Sequence, residues 1–252
     1  MIEAFHISKY FEEKQILKDV SVKFEQGKNN LIIGQSGAGK TVLLKCLVGL
    51  HEPDAGHIDF DGRNFSSLQA KERKEIRKEM GMLFQGGALF DYYTVEENVK
   101  FPLNMFTGLS EEEKIHRVNE VLKRVNLQNA NRKYPGELSG GMVKRVAIAR
   151  AISNNPKYLF CDEPNSGLDP QTANLIDELI AEITEEYNMV TIVNSHDMNS
   201  VLKMGDHISF IHDGQLWWQG DKESILRSDN SELNAFVFAT ELTKRIKKYG
   251  NT

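Results

Sequence analysis

Gly34, Gln35, Ser36, Gly37, Ala38, Gly39, Lys40 and Thr41 fit the pattern G-x-x-x-x-G-K-[ST] in full. Glycines at this spacing let a backbone wrap phosphate oxygens with its N–H groups turned inward. A helix opening there adds partial positive charge. Lys40 would reach the β- and γ-phosphates of a nucleotide, and the Thr41 hydroxyl would ligate Mg²⁺. A second cluster closes the apolar run Tyr158, Leu159, Phe160, Cys161 with Asp162 and Glu163. Asp162 suits a hold on Mg²⁺, direct or through water, and Glu163 suits orienting an attacking water. Acidic residues often end strands, so this pair gains meaning from the phosphate cradle. Asn194, Ser195 and His196 follow another apolar run. A histidine there, with Asp197 beside it, favours contact with a γ-phosphate over a purely structural role. The segment LSGGM, residues 138–142, precedes Lys144, Arg145 and Arg150. Ser139, Gly140 and Gly141 at a helix start form a second anion-type site, and two such sites suggest one nucleotide gripped from two sides.

Alternating elements must position these groups. Val20, Val22 and Phe24 alternate with polar residues, as in a half-buried strand. Leu31, Ile32 and Ile33 read as a strand covered on both faces, and Val42, Leu43, Leu44, Leu47 and Val48 as the helix after the cradle. Residues 71–79 mix both charge signs and read as a solvated helix. Ser110 and Glu113 have capping-box spacing, with Ile115, Val118, Leu122 and Val125 on one face of the helix that follows. Residues 86–155 therefore read as an inserted helical subdomain. Asp169 and Pro170 form a cap and first turn for a helix carrying Leu175, Ile176, Leu179, Ile180 and Ile183. Residues 158–161, 189–193 and 208–211 read as buried strands. Strands alternating with helices imply a largely parallel α/β sheet, whose ligands bind beyond the strands' carboxyl ends.

The chain has 252 residues, 40% apolar and 27% charged, with a formal charge of −5. That balance excludes a disordered or collagen-like chain and gives no reason to expect duplex-DNA binding. No uncharged stretch approaches the ~18–20 apolar residues of a membrane-spanning helix, and no signal peptide is apparent. Cys46 and Cys161 lie in apolar runs and fit buried thiols in a reducing compartment. A soluble, cytoplasmic protein is expected.

The whole set, in this order from Ile2 to about Gly220, resembles the ATPase subunit of ATP-binding cassette (ABC) transporters. LSGGM resembles the family signature LSGGQ. Gln85, after a strand over residues 80–84, matches the Q-loop glutamine, which the resemblance makes a γ-phosphate and Mg²⁺ contact. Ser166, Gly167, Leu168 and Asp169 match the D-loop, and Phe11 lies where the family stacks an aromatic on adenine. Tyr10 is the nearby alternative, and either ring could instead be core. Met142 replaces the signature glutamine, and Asn165 stands where threonine is frequent. LSGGM, residues 86–90 and residues 233–238 further resemble one branch, the ATPases of mammalian-cell-entry (MCE) and lipid-asymmetry (Mla) phospholipid systems.

The resemblance implies a P-loop NTPase of the α/β class, with a RecA-like core, an N-terminal antiparallel β portion and the helical insert. Residues 1–220 would be the nucleotide-binding domain and residues 221–252 a helical extension. It implies ATP and Mg²⁺ as cofactors, with Thr41, Gln85 and Asp162 around the metal, and Glu163, His196 and Gln85 at the reaction. It implies a head-to-tail dimer in which Ser139, Gly140, Gly141 and Asp169 face the partner's nucleotide. Further partners would be an integral membrane permease and an MCE-type lipid-binding subunit, with no nucleic acid. The chain would lie on the cytoplasmic face of the inner membrane and power phospholipid transport. The alternatives are an importer ATPase for a small solute such as an amino acid, and a non-transport ABC ATPase acting on nucleic acid or ribosomes. Leu89, Phe90, Tyr92, Tyr93, Phe101, Leu103, Met105 and Phe106 are expected to divide between core and a permease-binding groove. Residues 231–249 are expected to form a C-terminal helix with a basic end, docked on its own core or on a neighbouring subunit.

Overall fold

A computed structural model describes residues 1–239. The chain divides into two compact units. Of the described residues, one holds Met1–Glu25, Asn29–Ser67 and residues 194–239, and the other Gln26–Lys28 and Leu68–Val193.

In the first unit, β1 (Ile2–Phe11), β2 (Lys14–Phe24), β4 (Ala55–Phe60) and β5 (Arg63–Asn64) form an antiparallel sheet in the order β2-β1-β4-β5. Val20, Val22 and Phe24 point inward, as their alternation predicts. Here too β3 (Lys28–Ile33) runs parallel to β9 (His207–His212), with Leu31 opposite Ile208 and Ile33 opposite Phe210. Leu31–Ile33 of β3, and Ile208, Phe210 and Ile211 of β9, are all buried, as in strands covered on both faces. β10 (Gln215–Gly220) pairs antiparallel with β9 across Asp213 and Gly214, both with positive φ, as a two-residue hairpin requires. Helix α1 (Lys40–Leu47) follows β3, and α7 (Met198–Met204) precedes β9. Helix α8 (Ser231–Val237) buries Leu233 and Val237, and its Phe236 ring lies 5.6 Å from that of Phe210. It closes at Val237, and Phe238 beyond it is buried too. The rest of the expected helix, from residue 240, lies outside the described residues.

In the second unit, β6 (Met80–Leu83) and β7 (Tyr158–Asp162) are parallel, with β8 (Val190–Ser195) beside β7. Around them lie α2 (Ala70–Lys78), α3 (Val95–Phe106), α4 (Glu111–Arg124), α5 (Gly140–Ile152) and α6 (Pro170–Glu186). Only Ile76 is buried in α2, the solvated helix of the charge pattern. Helix α5 is buried along most of its length and packs against α3, α4, α6 and β6. The Ser110–Glu113 capping box forms as expected. Ile115 departs from expectation: the buried stripe is Val118, Val121, Leu122 and Val125, and Ile115 lies at its margin on the helical wheel, half exposed. Leu175 is exposed as well, because it falls well off the face made by Ile176, Ile180 and Ile183.

Cys46 and Cys161 are free, buried thiols, and burial pushes the Cys46 thiol up to about 11 and raises that of Cys161 also. Among the described residues no helix is long and apolar enough to cross a membrane.

Candidate active site

The phosphate-type loop leaves β3 after Ile33 and enters α1 at Lys40. Gly34 has φ +151°, and a Cβ there would lie 2.2 Å from the Ile211 carbonyl oxygen. Gly39, with φ +107°, caps α1 with no side-chain hydrogen bond, and no acidic residue occupies the first turn. The helix start thus keeps its positive end for an anion. Lys40 is 5% exposed, and its ammonium donates to the Gly34 carbonyl at 2.8 Å and the Gln35 carbonyl at 3.0 Å. Its charge is therefore folded into the loop itself. Gln35, Ser36 and Gly37 form the exposed rim, with Ala38 and Thr41 half-buried.

In the same unit, His196 is exposed directly after β8. Asp197 serves α7, accepting the Asn199 N–H at 2.9 Å, while its own N–H donates to the Ser195 hydroxyl at 3.1 Å. Phe11 is 41% exposed, edge-on to the His51 ring at 5.2 Å, with the Lys9 ammonium 5.6 Å from its centroid. Tyr10 is exposed as well, so neither ring is core.

The second unit assembles the other cluster. Asp162 ends β7 and is buried, and Glu163 follows with φ +46°. A non-glycine residue in that left-handed region costs on the order of 1 kcal/mol, and such strain concentrates at functional sites. The Gln85 side-chain amide donates to the Glu163 carboxylate at 3.0 Å and to the Ser166 hydroxyl at 3.3 Å. The buried Lys144 ammonium donates to the Gln85 main-chain carbonyl. Burial holds Lys144 below the usual lysine range, against the opposing pull of Cys161, Glu163 and Asp162. Arg150 donates to the Ala88 carbonyl at 2.7 Å and the Gly87 carbonyl at 2.8 Å.

Ser139 caps α5, its hydroxyl accepting the Met142 N–H at 3.3 Å, and Ser139 and Gly140 are exposed. Gly141 has no room for a side chain: a Cβ would lie 2.6 Å from Thr172 Cγ2. Asp169 is exposed and caps α6 by accepting the Gln171 and Thr172 N–H groups at 3.1 and 3.0 Å. Hydrogen bonds from Thr172, side chain first, hold its carboxyl below the usual range. Asn165, which had no reading in the sequence, turns its amide toward the buried Asp177 carboxylate at 3.4 Å.

Gln85, Glu163 and Ser166 thus meet, and Lys144 joins them through the main chain. The contacts of Lys144 and Ser166 with Gln85, and of Asp177 with Asn165, were not visible in sequence, because each partner lies on a different element. In the loop from Gly34 to Lys40, a buried ammonium and a helix start without a side-chain cap are features that fit a bound phosphate. Among the described residues no three His, Cys, Asp or Glu side chains gather into a ready-made metal site. The Thr41 hydroxyl in the first unit, and the Gln85 amide oxygen and Asp162 carboxylate in the second, are each hard oxygen donors of the kind that suits Mg²⁺.

A family model described as ABC transporter matches residues 17–166. The chain is 38% identical over 237 residues to the methionine import ATP-binding protein MetN of Clostridioides difficile (strain 630), covering 94% of this chain and 74% of that protein. It is 36% identical over 236 residues to the probable ribonucleotide transport ATP-binding protein mkl of Mycobacterium leprae (strain TN), covering 94% and 68%. The solved dimeric structure of MJ0796, a bacterial ABC transporter cassette, superposes with a TM-score of 0.82 at 32% identity, over 88% of this chain and 99% of that one. With the loop at Lys40, the carboxylates ending β7 and the α/β fold, these likenesses define a nucleotide-hydrolysing cassette. The chain belongs to the ABC transporter family, and it is an ATPase that takes ATP with Mg²⁺.

Proposed function

We propose that this chain is the ATPase subunit of an ABC importer for a small solute such as an amino acid. The observation that carries the solute class is the 38% identity to a methionine import ATPase over 94% of the chain. In this reading Lys40 and the loop N–H groups bind the β- and γ-phosphates, and Thr41, Asp162 and Gln85 hold the metal. Bound Mg²⁺ would supply positive charge against the phosphate oxygens. Glu163 orients and deprotonates the attacking water, and His196 contacts the γ-phosphate. Phe11 offers the adenine a face. Ser139, Gly140, Gly141 and Asp169 serve the nucleotide of a second copy, because Ser139 and Gly140 lie exposed at a helix start. The dimeric MJ0796 cassette supports that pairing.

The permease would dock beside the Q-loop. An apolar groove of about 380 Å³ there is lined by Met82, Phe84, Phe90, Phe101 and Phe106. Leu103 is core, whereas Phe90, Tyr92, Tyr93 and Met105 are exposed and so open to a partner. Through that partner the chain would sit at the cytoplasmic membrane face.

A phospholipid substrate is the second reading, and an MCE-type subunit belongs to it. It rests on LSGGM and residues 86–90. The third segment, residues 233–238, supports it less, because Leu233, Val237 and Phe238 are buried on the chain's own first unit. Purification of the native complex with its bound solute decides between the two. Methionine-like solute and solute-stimulated hydrolysis support the importer, and bound phospholipid overturns it. In the same preparation Glu163→Gln should keep ATP binding and lose ~10²-fold or more in turnover. Near-normal turnover would remove Glu163 from the reaction.

A further inference from the structure

The Gln85 side chain is exposed, yet it meets both Glu163 and Ser166. A glutamine has three side-chain torsions, so such a meeting depends on where its main chain is held. Three polar side chains in the second unit hold it. Arg150 takes the Gly87 and Ala88 carbonyls. Asn98, fully buried, accepts the Phe90 N–H at 2.8 Å and donates to the Phe90 carbonyl at 3.1 Å. Lys144 alone of the three acts on residue 85 itself. Gly87 and Ala88 have φ of +78° and +47°, and a Cβ on Gly87 would lie 2.9 Å from Val143 Cγ1, so the loop backbone lies flush on α5.

Arg150 and Asn98 already anchor residues 87–90, so folding of the loop does not explain a second buried cation. Lys144 is 5% exposed, and removing an ammonium from water is costly even with the Glu163 and Asp162 carboxylates nearby and one carbonyl accepting from it. What it adds is the position of Gln85. A lysine presents a compact point charge on a flexible stem, suited to following one carbonyl, where the arginine fork grips two. It also stands one turn into the helix that Ser139 opens.

We infer that Lys144 is a positioning residue for the reaction: by holding the Gln85 carbonyl to the signature helix it fixes the reach of the Gln85 amide to Glu163. This rests on the reading of Glu163 and Gln85 as active-site groups. Hydrolysis by the full chain therefore depends on Lys144 through Gln85, and the loop and the signature helix move as one piece.

A double-mutant cycle tests it. Lys144→Met keeps the apolar stem and should lower kcat roughly tenfold, as expected for one charge-assisted hydrogen bond, with the KM for ATP within twofold. Gln85→Ala should cost a similar factor, and the double variant should cost no more than Gln85→Ala alone. Without nucleotide, amide exchange over residues 85–88 should quicken in Lys144→Met, while α3 and α4 exchange as before. Lys144→Gln also removes the charge and runs the same cycle if Lys144→Met fails to fold. Additive losses, or unchanged exchange over residues 85–88, would overturn the inference. If Gln85→Ala itself turns over normally, the fault lies instead with the active-site reading.

Discussion

Gly34 carries no side chain because the Ile211 carbonyl oxygen occupies the space, 2.2 Å from where a Cβ would stand. Backbone cannot yield as a flexible side-chain end can, so Gly34→Ala must deform the loop that Lys40 folds into. Nucleotide affinity should fall at least about tenfold by calorimetry, for loss of one or more charge-assisted hydrogen bonds. Unchanged affinity would count against the cradle. The loop was legible in sequence because its donors are contiguous: eight residues hold the glycines, the lysine and the hydroxyl. The Gln85–Glu163 bond was not, since 78 residues separate its partners. Asp169 was readable as a cap, and the cap is what its carboxylate makes within the chain.

Elements obey local rules where one end chooses its own partners. The Ser110 N–H and then its hydroxyl hold the Glu113 carboxyl below the ordinary glutamate range, and Thr94 treats Glu97 likewise. A depressed folded value means that the unfolded chain binds more protons as pH falls. These caps therefore stabilise fully above the unfolded glutamate value of about 4.3 and lose that contribution as pH drops through the lower folded value. Thermal melts of the wild-type chain and Glu113→Gln should differ at pH 7 and converge near pH 3. A gap that widens toward pH 3 would contradict the assignment. Capping boxes and strand alternation were readable because they depend on residues three or two apart. Ile115 was read with the buried face and lies at its margin, because a helix turns 100° per residue and the width of a buried face is set by neighbours from elsewhere in the chain.

At the scale of the molecule, the α/β class and the antiparallel N-terminal sheet were both foreseen from alternation and resemblance. Where the C-terminal helix would dock was left open, because an apolar stripe names no partner. For its first turns the partner is the chain itself: Leu233 and Val237 are buried, as is Phe238 beyond them. Burying such side chains contributes roughly 1.5–3 kcal/mol each before the entropy of ordering them. Truncation before Ser231 should thus lower the melting temperature of the isolated subunit by roughly 5 °C or more. An unchanged melting temperature, with weaker assembly of copies, would show instead that this helix belongs to a neighbour.

The two buried thiols have a practical consequence. With Cys46 and Cys161 shielded and their thiolates disfavoured, the native sequence is a silent background for thiol-directed dyes and spin labels. A single cysteine placed at an exposed position outside the proposed site, at Lys123 or Lys222, would be the sole reactive site among the described residues. Distances between labelled copies could then be followed through a turnover cycle without first stripping the protein of its own sulfur.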